Sequence, residues 1–191
     1  LFVHGWNMAP YEKQRWTETI FKRLWWQGYK GQVGALYWPC LGLLHYDKSE
    51  YNAWRSAKVL KNLIFTLNAR CPGGVRLLAH SQGNVVAGEA LRLFDQPIVH
   101  SYIATQAALP SQGYVKDVPE RSHLTSWNTP NLYRYYFRDS TCFPYFNDNA
   151  TKVVNKRIFR YFNQKDWALN KWVWNSRLRP DSGYLYHNGG K

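Results

Sequence analysis

The chain alternates between short apolar runs and longer stretches in which apolar residues recur every three or four positions. The short runs predict strands at residues 1–3, 32–38, 75–79, 98–104 and 156–162. The longer stretches predict helices over residues 10–26, from about 47 to about 68, and over 85–93. Strand and helix therefore alternate, which predicts an α/β domain with a mainly parallel sheet and helices on both faces.

The first two predicted helices carry apolar stripes and recognisable ends. Pro10 starts the first and Gly28 follows it, and its stripe consists of Trp16, Ile20 and Leu24. For the second helix, Asp47 or Ser49 is predicted as the N-cap. Its buried face is predicted to comprise Trp54, Ala57, Leu60, Ile64 and Leu67.

An abrupt turn joins the third predicted strand to the third helix. His80-Ser81-Gln82-Gly83 lies between them, and the positions two before and two after the serine hold the small residues Ala79 and Gly83. A serine on so sharp a turn is held in a strained backbone conformation, and its hydroxyl projects clear of the sheet. The sequence therefore predicts a nucleophile at Ser81. The plainer alternative is a Ser-Gly turn that only reverses the chain.

These residues carry a resemblance to a known family. Ala79-His80-Ser81-Gln82-Gly83-Asn84 resembles the nucleophile elbow of the serine α/β-hydrolases, the superfamily of esterases, lipases and thioesterases, with alanine replacing the usual first glycine. The opening segment, Leu-Phe-Val-His-Gly-Trp-Asn, resembles the strand and His-Gly turn that carry the family's oxyanion loop. The likeness covers most of the chain up to about residue 106 and again from about 152 to 170.

The resemblance implies one α/β-hydrolase domain over residues 1–191 whose N-terminal strands are missing. Because the chain begins inside a predicted strand, we expect it to be a fragment or trimmed domain of something longer. Residues 111–151 interrupt the alternation with several prolines and an aromatic cluster at 133–137. They correspond to a lid or cap over the active site, or to a surface excursion packed by its own aromatic residues.

The resemblance also implies a catalytic set. Ser81 would be the nucleophile, and the backbone amides of Trp6 and Gln82 would stabilise the oxyanion. His4 would fix its loop by a hydrogen bond. Asp166, just after the last predicted strand, would orient the catalytic histidine, cap the helix predicted at 167–175, or do both. Two weaker candidates for the carboxylate are Asp139 and Asp148.

The general base is the least determined member of this set. In this fold the order along the chain is nucleophile, acid, histidine, and His187 alone follows Asp166. The base is therefore either His187 or a histidine beyond Lys191. His80, beside the nucleophile, is normally an elbow residue. The remaining histidines come too early: His45, His100 and His123.

The net charge and the cysteines say less about the function of the chain. The formal net charge is +13, but the basic residues are dispersed and no nucleic-acid-binding motif is present, so we expect no nucleic-acid partner. The charge indicates either a dispersed basic surface or contact with anionic lipid head groups. The three cysteines, Cys40, Cys71 and Cys142, are read as small buried apolar residues, because their number and spacing fit neither a disulfide framework nor a metal site.

The function predicted from these observations is hydrolysis of carboxylic esters, of the esterase or lipase type, through a Ser-His-Asp triad and an acyl-enzyme. The expected substrate is a small-molecule or lipid ester, and no metal or organic cofactor is implied. Two alternatives stay open: a non-catalytic domain used for binding, and an acyltransferase or thioesterase with the same residues.

Overall fold

The computed structural model describes residues 1–94, 96–108 and 154–163. Its strands are β1 (Phe2–Val3), β2 (Ala35–Leu36), β3 (Arg76–His80), β4 (Val99–Thr105) and β5 (Val154–Tyr161). Its helices are α1 (Pro10–Trp26), α2 (Tyr46–Arg70) and α3 (Gly83–Arg92). Each of these elements corresponds to one predicted from the sequence, although several bounds differ.

The strands form one sheet in the order β2-β1-β3-β4-β5, and every described pair is parallel. From β1 the chain passes through α1 to β2 on one side. From β3 it passes through α3 to β4 on the other side. Connections between parallel strands are right-handed crossovers. Since α1 leads toward one edge of the sheet and α2 and α3 lead toward the other edge, α1 lies on one face of the sheet and both α2 and α3 lie on the other. The prediction of an α/β architecture with a mainly parallel sheet is confirmed.

The core lies between the sheet and the α2–α3 layer. Ala57, Leu60 and Ile64 of α2 are at most 1% exposed, and Trp54 and Leu67 pack against the same cluster. The predicted buried face of α2 is therefore correct. The small residues of α3 allow it to approach the sheet closely, and Val86, Ala87 and Ala90 are fully buried there.

The first helix has the predicted bounds but not the predicted buried stripe. Trp16 is 47% exposed and Leu24 37%, whereas Lys13 is buried. Lys13 lies on the same face of the helix as this stripe, and its ammonium donates to the carbonyl of Trp38 at 3.0 Å. The helix is therefore held against the rest of the chain near its start, while Trp16 and Leu24 further along that face stay largely exposed.

Three further expectations are corrected. β2 is shorter than residues 32–38, because its partner β1 offers only two residues to pair with, in the register Phe2↔Ala35. The N-cap of α2 is His45, and Ser49 is instead buried inside the helix. Cys71 is exposed rather than buried, while Cys40 is half-buried.

Several predicted features lie outside the described residues. They are the lid at 111–151, Cys142, and the weaker carboxylate candidates Asp139 and Asp148. Among the described helices, none combines the length and the apolar character needed to span a bilayer.

Candidate active site

The strand order has a topological switch point between two neighbouring strands. β1 and β3 are paired, with Phe2 opposite Leu78 and Val3 opposite Ala79. The chain leaves them toward opposite sides and opposite faces of the sheet. Such a switch point opens a crevice at the carboxyl ends of the two strands, where ligands bind in open α/β sheets. His4 and Gly5 follow β1 into this crevice, and Ser81 follows β3.

Ser81 has the strained backbone that the sequence predicts. Its φ angle is +51°, in the left-handed region that residues with a β-carbon rarely occupy. A conformation of this kind costs about 1–3 kcal/mol and persists only where the surrounding structure enforces it. Ser81 is half-buried, at the turn between β3 and the first residue of α3.

Two glycines allow the segment after β1 to lie against this turn. A β-carbon on Gly83 would meet the carbonyl oxygen of His4 and lie 2.5 Å from that of Val3. A β-carbon on Gly5 would lie 2.9 Å from both the Ser81 Cβ and the His80 Nδ1. Since both distances are shorter than real side chains tolerate, glycine is required at both positions.

The backbone of the turn is tied to the end of β4 and to the loop beyond it. The Ser81 amide donates to the carbonyl of Thr105 at 3.0 Å. The Ser81 carbonyl accepts from the amides of Asn84 at 3.0 Å and Ala108 at 3.1 Å. These bonds fix Ser81 from three directions, so the left-handed conformation is set by the fold rather than by the serine.

Gln82 is held by a contact that sequence reasoning missed. Its amide lies at the start of α3, where the first N–H groups have no acceptor within the helix and the helix dipole favours negative charge. Its side chain is fully buried, and Oε1 accepts from the Ser49 hydroxyl at 2.9 Å. The same Ser49 oxygen accepts from the Leu41 amide at 3.3 Å. No local signal could have revealed this bond, because its partners are 33 residues apart.

On the β1 side, His4 is a fully buried residue that fixes backbone. Its Nδ1 donates to the Gly5 carbonyl at 2.7 Å, and its ring stacks on Trp38 with centroids 5.2 Å apart. The Trp38 indole donates back to the His4 carbonyl at 2.7 Å. The loop-fixing role expected for His4 matches these contacts.

Burial lowers the pKa of His4 from 6.5 to about 4, and the positive charges of Lys13 and His80 act in the same direction. Hydrogen bonds to the backbone of Gly5 and Trp38 oppose the shift only in part. His4 is therefore neutral at neutral pH. A neutral ring that donates through Nδ1 holds the Gly5 carbonyl without placing a positive charge in the core.

Two aromatic contacts flank the crevice. The His80 ring lies against Trp16 of α1, with centroids 5.2 Å apart and planes tilted by 30°. The Trp6 indole packs edge-on against Tyr46, the first residue of α2, at 4.9 Å. These contacts orient the side chains of His80, the last residue of β3, and of Trp6, whose backbone amide follows directly after Gly5.

The structure thus brings Ser81, Gln82 and the Gly5–Trp6 segment to one crevice. Asp166 and His187, the predicted acid and base, lie outside the described residues. Within the described ranges, no group of three or more histidine, cysteine or acidic side chains is placed to hold a metal ion. A scan against protein-family models, a search of curated proteins and a search of solved structures each found no match.

Proposed function

We propose that this chain is a serine hydrolase that cleaves carboxylic esters and that Ser81 is its nucleophile. The observation that carries the proposal is the left-handed backbone of Ser81 at the carboxyl end of β3, at the topological switch point of the sheet. A serine held in this conformation between a strand and a helix is the arrangement that α/β-hydrolases use to present a nucleophilic hydroxyl.

The proposed acylation begins when Ser81 Oγ attacks the ester carbonyl carbon and a histidine base accepts the hydroxyl proton. The negative charge then develops on the former carbonyl oxygen. In this proposal it is stabilised by the amide of Gln82, at the positive end of α3, and by the amide of Trp6. Each such donor is worth roughly 3 kcal/mol to the transition state.

Collapse of the tetrahedral intermediate breaks the acyl–oxygen bond, and the protonated base gives its proton to the departing alkoxide. Water then attacks the acyl-enzyme with the same base, which releases the acid and restores the serine. The base is His187 or a histidine beyond Lys191, and Asp166 is the proposed carboxylate that orients it. An acyl transferase would differ only in the second step, where an alcohol or amine replaces water.

The test is covalent labelling of the folded protein with a fluorophosphonate probe, with the adduct located by mass spectrometry. We expect a single adduct at Ser81, and loss of labelling and of p-nitrophenyl ester hydrolysis by about 10⁴-fold or more in Ser81→Ala. The matched control is Ser56→Ala. Ser56 is a buried serine on α2 that donates to the Asn52 carbonyl of its own helix at 2.7 Å.

A folded wild-type protein that the probe does not modify would overturn the proposal and favour the non-catalytic alternative. Analysis of the products with and without added alcohol separates a hydrolase from an acyl transferase. Free acid as the main product in both conditions is the expected result.

A further inference from the structure

The strained turn at Ser81 is surrounded by a side-chain network centred on a buried amide. Asn84 is fully buried in the first turn of α3. Its Nδ2 lies 3.0 Å from the Ser81 carbonyl oxygen, 3.2 Å from that of Thr105 and 3.3 Å from that of Ala79. One carboxamide therefore donates toward the end of β3, the elbow itself and the end of β4.

The orientation of that amide is fixed by a second buried residue. Tyr102 of β4 is fully buried, and its hydroxyl donates to Asn84 Oδ1 at 2.7 Å. Because the phenol supplies a proton to Oδ1, the nitrogen must face the three carbonyls. A flipped amide would place its oxygen against carbonyl oxygens, which repel it.

We propose that Asn84 and Tyr102 are positioning residues for the nucleophile, which hold the Ser81 backbone in its left-handed conformation and so fix the direction of its hydroxyl. This inference rests on the proposed function. The strain at Ser81 favours relaxation of the turn, and the Asn84 amide opposes it by holding the Ser81 carbonyl. An error of about 1 Å in a reacting group costs about 100-fold in rate.

Three variants separate positioning from folding. Asn84→Ala removes the donors, and we expect acylation by the fluorophosphonate probe to slow by about 100-fold, with kcat lowered and KM little changed. Tyr102→Phe leaves the amide but frees its rotation, and we expect about a 10-fold loss. The controls are Asn62→Ala and Tyr51→Phe, which change exposed residues on α2.

Asn84→Asp gives a readout that a purely structural role would not produce. A protonated carboxyl has nearly the shape of the amide and can still donate one hydrogen bond, whereas a carboxylate would repel the three carbonyls. We therefore expect labelling of Asn84→Asp to fall as the pH is raised through the titration of the introduced carboxyl group, while the wild-type rate holds or rises. Asn62→Asp should follow the wild-type profile.

Thermal unfolding of each variant shows whether it is folded at the assay temperature. If Asn84→Ala does not fold, the labelling rate of Tyr102→Phe and the pH profile of Asn84→Asp test the positioning role instead. Folded variants labelled as fast as the wild type, with no pH difference, would overturn this inference alone. A folded wild-type protein without any adduct at Ser81 would overturn the proposed function and this inference with it.

Discussion

The two sides of the crevice are held in place by different means. On the β1 side, the His4–Gly5 segment is fixed by stacking of the His4 ring on Trp38. It is also fixed by two hydrogen bonds, which the His4 ring donates to the Gly5 carbonyl and the Trp38 indole donates to the His4 carbonyl. On the β3 side, the Ser81 turn is fixed by a buried amide and by backbone bonds to β4. Both sides contain a residue other than glycine in the left-handed region, with φ of +56° at Asn7 and +51° at Ser81. Asparagine tolerates this conformation better than most residues, whereas on the β3 side the residue that adopts it is the serine of the turn.

The difference indicates a division of work. Buried rings are close-packed and resist charge and exposure to water, so changes on the β1 side should act mainly through stability. Directed hydrogen bonds fix an angle, so changes on the β3 side should act mainly through the rate of the proposed reaction at Ser81.

The largest expected effect is at Gly83, where the two sides touch. Gly83→Ala would drive a β-carbon into the carbonyl oxygens of His4 and Val3, which are backbone atoms and cannot move aside as a side chain would. We expect a loss of about 3 kcal/mol or more in the free energy of unfolding, at the upper end of overpacking costs, measured by urea titration. Gly34→Ala is the control, because among the described residues no heavy atom beyond Gly34 and its two chain neighbours lies within 4 Å of its added carbon. Equal stability of the two variants would contradict this close approach.

The next effect is a dependence of stability on pH that comes from the β1 side. The folded pKa of His4 is about 4 and the unfolded value about 6.5, so the unfolded state gains a proton first as the pH falls. The contribution of His4 to stability is complete above pH 6.5. It declines toward pH 4, with a total loss approaching about 3 kcal/mol.

The contribution of His4 is measured by comparing the free energies of unfolding at pH 7 and pH 4.5. His4→Phe keeps a ring against Trp38 but cannot titrate, and we expect its stability to fall by about 2 kcal/mol less than the wild type between these two pH values. His45→Phe, at an exposed histidine, should behave like the wild type. Parallel pH dependence of His4→Phe and wild type would show that His4 is not the buried neutral group described above.

The sequence predicted the parts of this site that depend on neighbours in the chain. The bend at Ser81 is encoded within five residues, because only a small residue at Gly83 lets α3 start so close to β1. The bounds of α1 were equally local, with proline at its first position and Gly28 beyond its end. A pattern of this kind needs no knowledge of the tertiary structure.

Contacts between distant elements could not be predicted in this way. The sequence predicts Asp47 or Ser49 as the cap of α2, because both residue types favour that position, but the N-cap is His45, and Ser49 is buried and bonded to Gln82. The Tyr102–Asn84 bond joins residues 18 apart on different elements, and only the strand order brings them together. Periodicity likewise predicts the apolar stripe of α1 but not which elements cover it.

The smallest expected effect is at Ser49 of α2, which contacts Gln82 on the β3 side. Ser49→Ala removes the donor to Gln82 Oε1 and the acceptor for the Leu41 amide, which should cost about 1–2 kcal/mol in the free energy of unfolding. Because Gln82 carries a proposed oxyanion amide, we also expect labelling of Ser81 to slow several-fold. Ser56→Ala loses one bond within its own helix and should leave labelling unchanged. If both variants lose stability but label at the wild-type rate, Ser49 supports only the fold. If Ser49→Ala alone slows the reaction, the orientation of Gln82 is set from α2, and the β3 side depends on a third element of the structure for its geometry.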